Sequence, residues 1–292
     1  MPIAESELII NQDGSIYHLN LRPEHLAQTI ITVGDPDRVD QVTRHFDRIE
    51  YKIRKREFHT QTGTFQNKRI TVISTGIGTD NIDIVLNELD ALVNIDFETR
   101  EIKKEHTALD IIRIGTSGSV QEDIPIDSFV VSQLAIGFDS LLHFYDSQSI
   151  QLQEVSNELV KHLSWPPGKS LPYAVSGASK WINHMSDKNV QKGITVTNVG
   201  FYGPQGRILR LPLQDDTLNS KIASFTYEGR KITNLEMETA GIYGMSKLLG
   251  HHAVSMNGIL ANRAGRTFSK NPKETVERLI KYTLHKIIEF PG

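Results

Sequence analysis

Thr29-Ile30-Ile31-Thr32-Val33-Gly34-Asp35-Pro36-Asp37-Arg38 is the stretch that decides the fold class. Its first five residues are β-branched or apolar throughout, as a strand buried on both faces requires. Asp35 then occupies the position of a helix N-cap, with Pro36 at the first helical position. The spacing predicts a helix running on to about Phe46. A strand that feeds directly into a helix is the unit of an α/β protein, and the rest of the chain repeats it.

Phe58–Phe65 and Arg69–Ser74 read as a hairpin turning at Gln66-Asn67-Lys68. Ile82–Leu92 has helical spacing. Asp110–Ile114 reads as a second buried strand that ends in Gly115-Thr116-Ser117-Gly118, and Ser128–Ile136 as another strand. Gln153–Leu163 reads as a helix stopped by Trp165-Pro166-Pro167-Gly168. Tyr173–Ser176, Ile194–Val199 and Ala253–Leu260 read as strands, and Thr239–Leu249 and Pro272–Phe290 as helices. The alternation continues to the end without a low-complexity linker or a short repeat. It predicts a single α/β domain, a mixed central sheet with helices on both sides. The charged run Glu98 to His106 reads as a solvated helix end or loop.

Composition sets the class of chemistry. The chain has 292 residues, 38% hydrophobic and 23% charged, ordinary for a protein with a sizeable core. A net charge of −3 implies no general attraction to nucleic acid or to anionic membranes. With no cysteine, disulfides, thiolate metal sites and cysteine nucleophiles are excluded. The first ten residues lack the apolar run of a signal peptide, and no stretch approaches bilayer length; the expected location is the cytoplasm. No His-Glu-x-x-His occurs and no metal is called for. The adjacent pair His251-His252 is expected at the surface, and His143, His162 and His184 as structural or exposed residues.

Several segments carry polar groups where the alternation predicts strand ends. Thr75-Gly76-Ile77-Gly78 precedes a helix, but Asn81 stands where a dinucleotide fingerprint needs its third glycine. Gly115-Thr116-Ser117-Gly118 lacks the Gly-Lys-Ser/Thr of a nucleoside-triphosphatase loop, which leaves tight turns at the sheet edge as the plain reading of both. Arg113 lies inside an apolar strand, where an unpaired charge is costly. A structural salt bridge would satisfy it. So would an anion held by guanidinium forks from Arg38 and Arg113, by backbone N–H groups and by the Thr116 hydroxyl. In Asn234-Leu235-Glu236-Met237-Glu238-Thr239 two carboxylates stand at a strand–helix junction. They suit the helix dipole, or a sugar diol.

Gly34-Asp35-Pro36-Asp37-Arg38, Ser74-Thr75-Gly76-Ile77-Gly78, Arg113-Ile114-Gly115-Thr116, Glu236-Met237-Glu238 and Asn262-Arg263 together, in this order, resemble the nucleoside phosphorylase family, with its uridine-cleaving branch nearest. The resemblance runs from about Tyr17 to near the C-terminus. It implies a three-layer α/β sandwich over residues 17–292 behind an N-terminal extension, residues 1–16. It implies reversible phosphorolysis of a pyrimidine nucleoside, with inorganic phosphate as co-substrate and no cofactor. Phosphate would meet Gly34, Arg38, Arg113 and Thr116, together with Arg56 from a neighbouring subunit. Ribose would meet Met237 and Glu238, with Glu236 nearby, and His18 from the neighbour. The base would meet Phe201, Gln205, Arg207 and Arg263. Arg38, Arg113, Thr116, Glu238 and Arg207 are the expected catalytic set. The implied assembly is a homodimer with shared sites; dimer versus hexamer stays open.

The chain also departs from the family pattern. Asn81 replaces a serine that helps hold potassium in some relatives, so that ion is not carried over. Gly203-Pro204 alters the loop before Gln205, and Glu98 to Asp110 looks like extra length. The alternatives are a purine nucleoside phosphorylase or a nucleosidase on the same fold, and a non-catalytic nucleoside or phosphate sensor. Purine enzymes carry a Ser-Asp pair where this chain has Asn262-Arg263, and a nucleosidase does not need the arginines.

Overall fold

The first strand–helix unit forms as its sequence dictates. β1 (Thr29–Val33) is buried along its whole length, and α1 (Pro36–Thr43) starts on Asp35, whose Oδ1 accepts the Asp37 N–H at 3.0 Å. The computed structural model describes residues 2–291. α1 stops at Thr43, short of Phe46. The Phe46 N–H turns back to the Thr43 carbonyl and the Asp47 N–H bonds the Thr64 carbonyl, which swings the chain into the next strand. That strand, β2 (Arg48–Lys55), makes a meander with β3 (Phe58–Phe65) and β4 (Lys68–Ser74). β2 escapes sequence reading because it is a charged, partly exposed edge strand, a common way of blunting a sheet edge.

The order continues through α2 (Thr79–Asn94), the two-residue strands β5 (Ile95–Asp96) and β6 (Glu101–Ile102), β7 (Asp110–Ser119) and β8 (Phe129–Gly137). Next come α3 (Gln153–Leu163), β9 (Tyr173–Ser176), α4 (Ser179–Met185), β10 (Val190–Thr197) and α5 (Leu218–Ser224). The chain ends with β11 (Thr226–Tyr227), β12 (Arg230–Glu236), α6 (Thr239–Leu248), β13 (His252–Asn262), β14 (Thr267–Phe268) and α7 (Pro272–Glu289). All strands but β5 and β6 join one mixed sheet in the order β11-β12-β10-β8-β13-β7-β1-β4-β3-β2, with β9 on β8 and β14 on β13. β12 also pairs with the end of β7, so β12, β10, β8, β13 and β7 close a ring. Helices cover both sides. Ile82 and Leu86 of α2 pack with Tyr243 and Met245 of α6 in one core cluster; Val39 of α1, Trp181 of α4 and Leu279 of α7 share another.

Three expectations need correction. Gly115 to Gly118 is not a turn: β7 runs through to Ser119, because β13 gives it a parallel partner along its length, from His252 opposite Asp110 to Asn262 opposite Ser119. β10 starts at Val190 rather than Ile194, with a register shift at Gly193/Ile194. The run Glu98 to His106 is exposed as expected but does more than hold solvent. Arg100, in the turn between β5 and β6, donates to the carbonyls of Ile3, Ala4 and Leu8 and fastens the N-terminal segment to the domain. Leu8 and Ile16 from that segment are buried in the α2–α6 core. Among the described residues no helix is long and apolar enough to cross a membrane.

Trp181 joins α4 to the sheet and to the C-terminus. It is fully buried, stacks on Phe290 with ring centroids 3.9 Å apart and donates its indole N–H to Asp110 Oδ1 at 2.6 Å. Trp181→Ala should lower unfolding stability by about 3–5 kcal/mol, through the cavity and the lost donor. Urea unfolding measures it; a loss below about 1 kcal/mol would mean that this junction is not a fixed part of the core.

Candidate active site

The sheet opens where three strands part. β7 pairs with β13 on one side along its whole length. On its other side it pairs with β1 only from Asp110 to Arg113, and with β12 only at Gly118 and Ser119. Among the described residues, Ile114 to Ser117 therefore face no strand on that side. A crevice at which neighbouring strands diverge is where α/β sheets bind ligands.

Arg113 stands at one end of this gap and is 5% exposed. Its Nη2 lies 2.5 Å from Glu238 Oε2 and 3.1 Å from Glu236 Oε2, and its Nη1 donates to Asn257 Oδ1 at 2.9 Å. Gly115 is required beneath it: a Cβ there would fall 1.8 Å from Arg113 Nη1. Burial works against the guanidinium charge, but the two carboxylates more than offset it and hold Arg113 above its ordinary range. The carboxylates differ in role. Glu236 accepts the N–H groups of Glu238 and Thr239, both at 2.9 Å, and the Thr197 hydroxyl at 2.6 Å; it caps α6. Glu238 accepts the Gly78 N–H at 2.9 Å. Burial raises the Glu238 carboxyl above its ordinary value; Arg113 opposes the shift and Glu236 reinforces it. Met237, between them, is half-buried.

The loop after β1 borders the same gap. Arg38 Nη1 lies 3.4 Å from the Ile114 carbonyl, and burial lowers its guanidinium below the ordinary range. Gly34 backs onto the Gly76 carbonyl, and Gly76 and Gly78 take φ of +73° and +102°, which favour glycine. A Cβ on Gly76 would lie 2.4 Å from Asn81 Nδ2, so Asn81 fills the place of a third glycine by packing against the loop. Thr116 is half-buried in the gap, and among the described residues its hydroxyl has no hydrogen-bond partner within the chain. Two arginines and two carboxylates thus meet here, a balanced set with no surplus positive charge.

The predicted base residues come together at the far end of β7. Arg207 lies 3.7 Å from the centroid of the Phe201 ring and donates to the Phe201 carbonyl and to Gln205 Oε1, both at 2.6 Å. Gln205 is buried, and Asn219 donates to its carbonyl at 3.1 Å. The Arg263 stem passes over Gly118, 3.6 Å from the place a Cβ would take, and Arg263 Nη2 donates to the Gly206 carbonyl at 3.2 Å. Arg263 Nη1 is buried without a partner. Phe201, Arg207 and Arg263 line a cavity of about 590 Å³. Burial and the nearby Arg263 pull Arg207 down to about 10, burial lowers Arg263 as well, and neither has a carboxylate partner among the described residues.

Two predicted residues stand apart. Arg56, exposed at φ +55°, and His18 share one cluster through Tyr17: Arg56 sits 5.9 Å from the Tyr17 ring centroid, and the Tyr17 and His18 rings are 4.7 Å apart. Among the described residues no hydrogen bond, ion pair or ring contact joins them to Arg38, Arg113 or Glu238. His251 is not at the surface. It is 4% exposed, with Nε2 3.3 Å from Asp90 Oδ1 and His106 close by. Its Nδ1 accepts the Leu109 N–H at 3.2 Å, which puts the proton on Nε2, facing Asp90. A protonated Nε2 is not a metal ligand, since a ligating nitrogen must be bare. His143, His162 and His184 each meet a backbone carbonyl.

Sequence reading missed Asn257, which steadies Arg113, and Asn234, whose amide reaches the Ser117 hydroxyl at 2.9 Å. Their signal was polar residues inside otherwise buried strands.

A family model described as "Phosphorylase superfamily" matches residues 28–289. The chain belongs to that superfamily. It is 28% identical to a nucleoside phosphorylase of Trypanosoma brucei whose crystal structure is described as showing uridine phosphorylase activity, with a TM-score of 0.86 over 97% of this chain and 99% of that one. It is 26% identical to a uridine phosphorylase of Thermococcus kodakarensis, over 89% of this chain and 82% of that one. A DeoD-type purine nucleoside phosphorylase of Colwellia psychrerythraea is also 26% identical, over 93% and 98%.

Gly115→Ala tests the gap without touching a polar group. The new methyl would push the Arg113 guanidinium off Glu238 and Asn257. Unpairing a buried charge costs about 3–5 kcal/mol of stability, and loss of a transition-state-stabilising group costs on the order of 10²-fold in turnover. Activity and stability close to those of the unaltered protein would show that Arg113 does not need its observed seat.

Proposed function

We infer that the chain catalyses reversible phosphorolysis of a pyrimidine nucleoside, converting uridine and phosphate to uracil and ribose 1-phosphate. The single observation that carries this reading is the gap beside β7. It sets Arg38, Arg113, Thr116 and Glu238 at one end and leads to the unpaired cations Arg207 and Arg263 at the other. From Arg113 to Gly118 a strand spans roughly 17 Å, room for phosphate, ribose and base in line.

The reaction follows from this distribution of charge. A phosphate oxygen forms its bond to C1′ as the C1′–N1 bond breaks and its electron pair leaves with the base. Positive charge builds on the ribose between phosphate and Glu238, which would hold the ribose hydroxyls beside Met237. Negative charge builds on the base, where Arg207 and Arg263 await an anion and Gln205 can meet the polar edge; Phe201 gives an apolar wall. Gly34 would offer its N–H to phosphate. No side-chain nucleophile or cofactor is needed. Where a purine enzyme carries the acid of its Ser-Asp pair this chain has Arg263, and Asn262 beside it spends its amide on the carbonyls of Gln121 and Ile124 and on the Gly265 N–H.

The same reading has two copies share each site. The phosphate end of one chain has no surplus positive charge, and Arg56 would supply it from a neighbour. His18 is held at Glu88, ten residues along α2 from Gly78, which bonds Glu238. That is about 15 Å of helix axis, and among the described residues no hydrogen bond or ion pair joins His18 to Glu238. On this reading residues 17–292 form the catalytic domain, residues 1–16 an extension, and the enzyme works in the cytoplasm as a homodimer.

Uridine cleavage should require phosphate, and uridine should exceed inosine in kcat/KM by roughly 10²-fold or more, because a mismatched base leaves buried donors unpaired. Assays of uridine, cytidine and inosine with and without phosphate decide it; equal cleavage in phosphate-free buffer would make the protein a hydrolase. Arg56→Ala and Glu238→Ala should each be inactive alone. A purified heterodimer of the two should regain up to about half the activity, since one of its two sites is then intact. Heterodimers as inactive as the parents would sink the shared site.

A further inference from the structure

We propose that Glu88 is a positioning residue that fixes the tautomer of His18, so that the imidazole presents a bare Nε2 to a hydroxyl donor on the sugar. The proposal rests on the reading of His18 as a ribose contact across two copies. Its starting point is a carboxylate in the middle of α2 that the reaction as described does not use.

Glu88 makes four polar contacts with two consecutive residues. Its Oε1 and Oε2 accept the His18 N–H at 3.0 and 3.1 Å, Oε2 accepts the Leu19 N–H at 2.8 Å, and Oε1 lies 2.6 Å from His18 Nδ1. An ionised carboxylate can only accept. A neutral His18 must therefore carry its proton on Nδ1, and its lone pair on Nε2. Among the described residues Nε2 has no hydrogen-bond partner within the chain, and the side chain is 27% exposed, so the lone pair is open to a ligand.

The surrounding packing keeps the ring in this pose. Leu19 and Leu21 are fully buried beside it, the Tyr17 ring meets its edge, and Lys55 Nζ holds the Tyr17 carbonyl at 2.6 Å. Glu88 itself sits in α2, whose first N–H groups begin beside Glu238. The helix that seats the ribose carboxylate of one site thus also sets the hydrogen-bonding sense of the imidazole offered to the other.

Glu88→Gln keeps the shape and inverts the chemistry. The amide oxygen can still accept the backbone N–H groups, while the amide nitrogen donates to Nδ1 and drives the imidazole proton to Nε2. The first measurement reads the ¹⁵N shifts of the His18 ring at alkaline pH, assigned by their loss in His18→Ala. The Nδ1–H tautomer is expected in the unaltered protein and the Nε2–H tautomer in Glu88→Gln.

The second measurement compares uridine with 5′-amino-5′-deoxyuridine, whose ammonium can only donate. Glu88→Gln should lower kcat/KM for the amino analogue about tenfold more than for uridine, the scale of one hydrogen bond turned from fitting to opposed. An Nε2–H tautomer in the unaltered protein, or an unchanged ratio in a folded Glu88→Gln, would overturn the proposal. A separate control isolates the parent reading. If His18→Ala leaves the preference for uridine over 5′-deoxyuridine unchanged, His18 is not the ribose contact; if it abolishes the preference while Glu88→Gln changes neither tautomer nor ratio, only the role of Glu88 fails.

Discussion

A cation buried in the central sheet constrains everything around it. Arg113 sits in β7 with β1 on one side and β13 on the other, where an unpaired guanidinium would be untenable. Its partners arrive from far along the chain, at the junction of β12 and α6. Bringing Glu236 and Glu238 there requires β12 to reach across to the end of β7, which closes the five-strand ring and leaves Ile114 to Ser117 without a neighbour. Satisfying the charge and opening the gap are thus one event. Pairs of this kind add little net stability, but losing one partner costs about 3–5 kcal/mol, so the arrangement specifies the site more than it strengthens the fold.

The two ends of the gap are charged differently. Around Arg113 the charges balance, two guanidinium groups against two carboxylates; on the proposed reading a phosphate and a developing ribose cation would meet both signs there. Around Arg207 and Arg263 the charge is positive and uncompensated, and Arg263 Nη1 is buried with no partner. That is a standing cost, which on the proposed reading would be offset as the departing base becomes an anion there. An interaction that strengthens as the base leaves lowers the barrier rather than merely tightening binding.

What could be read from the sequence depended on how local the cue was. Asp35-Pro36 announces α1, and Gln66-Asn67 the β3–β4 turn, because caps and turns are set by neighbouring residues. β2 was missed because an edge strand lacks an apolar face, and Gly115 was misread as a turn because its purpose is to make room for the Arg113 guanidinium. His251 looked exposed beside His252, yet the Leu109 N–H and Asp90 hold it inside. The candidate residues around Arg113 were legible from short motifs in order, and the structure brings Arg38, Arg113 and Glu238 together. Their partners were not: Asn257 and Glu88 carry no motif, Asn234 stood beside one without a role, and what they do exists only once distant strands and helices meet.

α2 shows how such partners turn a list of residues into a mechanism. Its N-terminus gives the Gly78 N–H to Glu238, and the positive end of its dipole favours the carboxylate that burial disfavours. About three turns on, the same helix offers Glu88 to the His18–Leu19 backbone. A helix packed on α6 along this face resists bending, so the carboxylate and the imidazole keep their separation without any contact between them. On the two-copy reading, each helix then holds one residue of its own site and one of its neighbour's. The precision of either site depends on the rigidity of the helix that separates them, rather than on the loops that carry the reacting groups.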